Sequence, residues 1–227
     1  MASRAVASSH LVRNLAIAAG TVLLLAWTVF PFLWILLTSL KSPGDMLSVP
    51  PKFVFTPTID NYMALIIGEQ RGQYSSTRPD FARFFLNSMI ISIGAVSLSV
   101  LAGIPAAYAL ARFDFPLKDA LGFVLMSFRF VPFIAFVIPL YLIYQRLGLY
   151  NTHAGLIFAY QLITLPFTIW MLRSFFMEVP LEIQEAATID GCSWFGVLIK
   201  VILPLSGPGI AVTVILGFIF SWNAFNY

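Results

Sequence analysis

Two stretches of the chain, Leu15–Leu40 and Phe84–Ala111, contain no Asp, Glu, Lys or Arg. Each exceeds the roughly 20 apolar residues that take an α-helix across a hydrocarbon layer about 30 Å thick. Followed along the chain, the apolar runs predict five membrane-spanning helices, over about 11–40, 84–110, 120–145, 154–176 and 207–227. Pro31 is expected to kink the first. Lys41-Ser-Pro-Gly-Asp45 then stops it with turn chemistry. The segment 41–83, with Pro50-Pro51, Pro57, Gly68, Gly72 and Pro79, is too long for a tight turn and too short for a domain of its own. The fold class predicted is all-α: a polytopic membrane helix bundle in which 1–227 form one transmembrane domain.

Composition narrows the picture. Hydrophobic residues make up 59% of the 227 and charged residues 10%, with a mean hydropathy of +0.89, against about 25% charged in a soluble globular protein. The net charge of +3 reads as membrane topology rather than nucleic-acid binding, because the basic residues lie mostly outside the apolar runs. They divide evenly between the two sides, so charge only leans towards an inside N-terminus. A single cysteine, Cys192, excludes an internal disulfide, and with His10 and His153 far apart no metal-ligand spacing exists. In the second span Ala95, Ser99, Gly103, Ala107 and Ala111 recur every fourth position, a stripe that permits close helix approach.

The segment between the fourth and fifth spans is different in kind. Glu178, Glu182, Glu185 and Asp190, four of the ten acidic residues, fall within it. Glu182–Ile189 holds good helix formers, Asp190-Gly191 breaks them with a residue suited to a left-handed C-terminal position, and Ser193 is placed to cap a second helix. That helix carries an apolar stripe of Trp194, Phe195, Leu198 and Ile199, and Pro204 ends it or kinks the entry to the next span. A short helix, a hard turn and an amphipathic helix outside the hydrocarbon fit a lever that docks into another protein, and equally a helix lying on lipid.

Glu185-Ala186-Ala187, three residues, Gly191, nine residues and Val201-Ile202-Leu203-Pro204 closely resemble the EAA loop of ABC importer permeases, with Val201 for the usual Ile. Phe85-Leu-Asn87-Ser88, Ala107-Tyr-Ala-Leu-Ala-Arg112-Phe-Asp-Phe-Pro116, Ile138-Pro-Leu-Tyr141 and Leu147-Gly-Leu-Tyr-Asn-Thr152 are similar to segments of the maltose-type carbohydrate permeases. The resemblance implies a permease subunit of a binding-protein-dependent importer for a carbohydrate or polyol, working by alternating access in a bacterial or archaeal cytoplasmic membrane. It implies a cytoplasmic N-terminus, an extracellular segment 41–83, a cytoplasmic EAA loop at 178–206 and a sixth span beyond the C-terminal end. Glu185, Ala186, Ala187, Asp190, Gly191, Leu203 and Pro204 become the residues that couple to the ATPase. The implied partners are a second permease, two ATP-binding subunits and an extracellular solute-binding protein. ATP and magnesium belong to the ATPase, and the permease needs no cofactor. No phosphate-binding Gly-rich loop with its Lys occurs in this chain.

Arg129 is the one charge deep inside a predicted span, since Arg13 and Arg173 sit within three residues of span ends. Arg at mid-membrane costs an apparent ~2.5–3.5 kcal/mol, so it faces protein or water, either lining the path or bonding a Pro-broken neighbour. Trp222, Asn223, Asn226 and Tyr227 combine aromatic faces and amides, which suits sugars and also suits an interfacial belt. In the permeases this chain resembles, an acidic residue follows the Trp-Asn pair; here Ala224 follows Trp222-Asn223. The rival reading, an ion-coupled secondary transporter, calls for acidic residues within spans and an inverted repeat, and all ten acids fall outside the spans. No nucleophile or metal constellation accompanies the EAA-loop carboxylates, so no catalytic residue is assigned.

Overall fold

The computed structural model describes residues 2–67, 81–128, 130–132 and 134–223; Arg129, Asn226 and Tyr227 lie outside them. Every regular element among the described residues is helical. Where the sequence treats 1–227 as a single domain, the chain forms two compact units, Met1–Ala82 and Arg83–Tyr227.

In the first unit, α1 (Ala2–Ser39) runs on through Pro31. Thr21 and Thr28 return their hydroxyls to the carbonyls four residues back, at 2.8 Å each, which satisfies polar groups on a stretch, 13–33, whose residues are all exposed. The segment after α1 folds back onto its end. Asn61, on α3 (Asp60–Ile67), donates through Nδ2 to the carbonyls of Ser39 (2.9 Å) and Lys41 (2.8 Å). The Thr58 amide donates to Leu40 O at 2.8 Å. Ser42 caps α2 (Pro43–Met46), and Asp45 pairs with Lys52 at 2.6 Å. The Lys41 side chain is buried, its Nζ 4.7 Å from the Trp34 ring centroid and 5.2 Å from that of Phe55, so two aromatic faces attract the charge in place of water. The polar stretch after Lys41 is thus a clasp with its own hydrogen bonds.

In the second unit, α4 (Phe81–Arg112) and α7 (His153–Glu178) pack side by side. The small-residue stripe is their seam: Ala95, Ser99, Gly103 and Ala107 are all buried. A Cβ added at Gly103 would stand 2.8 Å from Thr168 Cγ2, so only hydrogen fits there. Ser99 donates to Gln161 Oε1 at 2.6 Å and shares a 2.6 Å bond with Thr164, giving the seam paired polar contacts in a medium without water. At the far end of these helices Ala107, Tyr108 and Leu110 meet Leu172, Phe176, Val197, Leu198 and Ile202 in one core. α11 (Gly207–Asn223) packs along α7.

The region expected as a third span, 120–145, is two helices: α5 (Lys118–Ser127) and α6 (Ile134–Leu147). Pro132 has no amide hydrogen and disfavours helical backbone at Val131, so the helix restarts beyond it, with Ala135 N donating to Pro132 O at 2.9 Å. By length and composition α1 from Arg13, α4 and α7 are each able to cross a membrane, and Trp194–Leu205 with Gly207–Asn223 qualify as one bent pair.

Candidate functional site: the loop 178–206 and the opposite end of the bundle

α7 ends at Glu178, and Val179 and Pro180 carry extended backbone into α8 (Leu181–Ile189). Glu182 lies in the first turn of α8, where a carboxylate favours the positive helix end. The C-terminus closes as expected. Gly191 adopts φ +86°, its amide donates to Thr188 O at 3.0 Å, and the Cys192 amide reaches back to Ala187 O at 3.0 Å. This pair of bonds takes up carbonyls that the helix leaves unpaired. Ser193 then caps α9 (Trp194–Val197), its Oγ accepting from the Gly196 amide at 3.2 Å.

Within this loop the structure divides an exposed set from an anchored one. Glu182, Glu185, Ala186, Ile189 and Asp190 are exposed, as are Trp194, Phe195 and Ile199. Ala187, Cys192, Val201 and Leu203 pack partly buried against the core that holds Val197, Leu198 and Ile202. The expected stripe of Trp194, Phe195, Leu198 and Ile199 is therefore split: Leu198 is in the core and the other three point away from it. The helix is α-type up to Leu198, whose amide donates to Trp194 O, and becomes π-helical beyond it, over Leu198–Ile202, where the Leu203 amide donates to Leu198 O. Pro204 starts the short α10 (Leu203–Leu205). The bend into α11 comes two residues later, at Ser206, and measures 78°.

Two arginines tie this loop to the bundle. Arg112, the last residue of α4, donates through Nη2 to the carbonyls of Phe176 and Val179. Arg173, on α7, donates through Nε to Leu110 O at 3.3 Å and lies 5.6 Å from the Trp170 ring centroid. Reading the sequence placed both only as basic residues at or near span ends. For Arg112 the signal was its place in the last turn of α4, where a cation is favoured; Arg173 lies more than a turn before the end of α7 and carries no such signal.

The other tentative residues lie elsewhere. Trp222 is half-buried, its ring 5.6 Å from those of Phe85 and Phe218. Asn223 is exposed at the end of α11. At this same end of the bundle His153 Nε2 meets Asn87 Oδ1 at 3.0 Å, in a cleft of about 500 Å³ lined also by Arg83, Asn151 and Thr152. The loop 178–206 and the Trp222 end are thus at opposite ends of α4, α7 and α11. Among the described residues no group of three His, Cys, Asp or Glu is placed to hold a metal ion.

Comparison with known proteins identifies this architecture. Residues 99–226 match the family described as binding-protein-dependent transport system inner membrane component. The diacetylchitobiose uptake system permease protein NgcG of Streptomyces coelicolor is 36% identical over 226 residues, 98% of this chain and 70% of the relative. The sulfoquinovosyl glycerol permease SmoH of Agrobacterium fabrum is 34% identical over 89% of this chain and 68% of its own length. The trehalose permease SugB of Mycobacterium tuberculosis is 35% identical over 88% of this chain and 69% of its own length. The crystal structure of a bacterial ABC transporter that imports the acidic polysaccharide alginate superposes with a TM-score of 0.71 at 22% identity, covering 93% of this chain and 71% of that one, a likeness of fold. The chain belongs to the binding-protein-dependent transport system inner membrane components, and is a multi-pass membrane permease subunit of an ABC importer whose ATPase is a separate subunit.

Proposed function

We propose that this permease imports a carbohydrate or polyol across the cytoplasmic membrane by alternating access, with its N-terminus and the loop 178–206 in the cytoplasm and the clasp outside. In this reading it pairs with a second, related permease, two ATPase subunits that hold ATP and magnesium, and an external solute-binding protein. The carbohydrate class is supported by relatives named for diacetylchitobiose, trehalose and sulfoquinovosyl glycerol. The observation that carries the coupling role is the division within the loop. Glu185 and its neighbours are presented to solvent on a rigidly terminated helix, while Val197, Leu198 and Ile202 are locked into the core beside α4 and α7.

The geometry supplies a mechanical route. A push on the exposed face of α8 passes through the capped turn at Gly191 into the anchored residues, and from there to the carbonyl ends that Arg112 holds. Packed elements with paired polar ends move as bodies rather than deforming, so displacement at the loop becomes tilting of α4, α7 and α11. Trp222 and Asn223 fall at the opposite end, where an aromatic face and an amide meet incoming sugar. Arg129, Asn226 and Tyr227, outside the described residues, are assigned to the substrate path from the sequence alone. The test is substrate-stimulated ATP hydrolysis by the reconstituted complex with Glu185→Lys. Loss of stimulation, with the binding protein still binding sugar, supports the assignment, and full stimulation overturns it.

A further inference from the structure

The docking reading above underlies a second inference, concerning a different part of the same loop. At the elbow between α10 and α11 a cleft of about 380 Å³ opens beside the end of α7, with Glu178, Pro180, Ile183, Leu205, Ser206 and Pro208 among its walls. Its back is fixed: the Phe175 ring lies so close to Gly209 that any Cβ there would overlap it. Ser206 is 4% exposed, and its Oγ has no hydrogen-bond partner. A buried hydroxyl left unpaired is costly. Glu178, on the other wall, pairs with no cation among the described residues, and it stands at the negative end of α7.

Four of these walls are hydrocarbon: two prolines, an isoleucine and a leucine. An apolar slot holding one carboxylate and one spare hydroxyl fits a long methylene stem that ends in a cation. An anionic ligand would meet Glu178 with like charge. The loop as a whole carries the carboxylates of Glu178, Glu182, Glu185 and Asp190 against the one ammonium of Lys200, so the surface it meets is basic. Ile183 belongs both to the cleft and to the helix that carries Glu185, which makes the cleft continuous with the docking face. We propose that the elbow cleft is a socket for a lysine or arginine side chain of the ATPase subunit. Glu178 receives the charge, the Ser206 hydroxyl accepts one N–H, and the contact is separate from that of Glu185.

Two measurements on the complete complex test the socket. Leu205 lines the cleft and is half exposed, so Leu205→p-benzoylphenylalanine is accommodated. On irradiation it is expected to join to an ATPase peptide containing Lys or Arg, identified by mass spectrometry. Attachment instead to the second permease, to lipid or within this chain overturns the socket. Glu178→Gln is expected to weaken ATPase-subunit association about tenfold, the scale of one hydrogen bond to a charged group, and Ser206→Ala less. Normal association in both variants, with Glu185→Lys still releasing the ATPase, overturns the socket and leaves the docking reading standing. Normal association in Glu185→Lys overturns that reading itself. Should Glu178→Gln fail to assemble, the cross-link alone decides.

Discussion

Arg112 and Arg173 hold the ends of each other's helices. Arg112, closing α4, bonds the carbonyls of Phe176 and Val179 at the end of α7, and Arg173 of α7 bonds the carbonyl of Leu110 at the end of α4. Each guanidinium neutralises the negative terminus of the neighbouring helix, and together they fix the take-off point of the loop 178–206. Arg112→Ala leaves two carbonyls without their charged donor, a loss of about 1.5–3 kcal/mol per bond to a charged group. The purified complex is expected to melt earlier and to hydrolyse ATP with weaker substrate stimulation. Arg112→Lys is expected to recover only part of this, because one ammonium does not reproduce a planar fork. An unchanged melting curve for Arg112→Ala would remove the clamp from the mechanism.

Gly191 is a test of the turn alone. Its φ of +86° would cost a residue with a side chain roughly 1–2 kcal/mol, although nothing stands within 4 Å of a Cβ there. Gly191→Val is expected to depress substrate-stimulated ATPase activity with complex yield maintained, and Gly191→Asn, which tolerates the left-handed region better, to depress it less. Equal activity in the two variants and the parent refutes the role of the turn.

Gly103 tests the opposite kind of constraint. Its backbone is helical, and space is what is missing, with Thr168 Cγ2 2.8 Å from an added Cβ. Gly103→Leu is expected to separate α4 from α7 and destabilise by about 1–3 kcal/mol or more, as overpacking does. Combining it with Thr168→Ala is expected to restore part of the stability. Thermal unfolding in detergent reads both, and additivity of the two changes would show that the helices do not meet there.

Sidedness is open to direct labelling. Val49 in the clasp is 95% exposed, and Val49→Cys is expected to react with an impermeant thiol reagent applied to intact cells. Cys192, half-buried in the loop, is expected to react only after permeabilisation. The reverse pattern inverts the proposed orientation and takes the EAA loop away from the ATPase.

The clasp has a pH dependence of defined sign. Hydrogen bonds from Lys52 and then Ser42 hold the Asp45 carboxyl below its ordinary value of 3.8. A lowered folded value means that the stabilisation is complete above 3.8 and is lost as pH falls through the lower folded value. Proteolysis of segment 42–59 is therefore expected to accelerate in strong acid, and Asp45→Asn to flatten that response. A profile with the same acid limb in Asp45→Asn places the titration elsewhere.

Read by itself, the sequence determined what depends on neighbours within a turn or two of the chain. Charge-free runs marked α1 and α4, the four-residue recurrence of Ala95, Ser99, Gly103 and Ala107 marked the close-packed seam, and Gly191 and Ser193 marked the cap-and-restart of the loop 178–206. Hydropathy, side-chain size and backbone handedness are local properties, and they were legible for that reason. What the tertiary structure decided are the pairings across sequence distance. Arg112 finds Phe176, Asn61 pins the clasp onto Ser39, and Leu198 goes to the core while Trp194 turns away. Position 120–145 reads as one apolar run because hydropathy counts side chains, yet Pro132 interrupts the backbone bonds beneath them. The 78° elbow at Ser206 sets α11 along α7, a pairing between residues far apart in the chain that no local pattern announces.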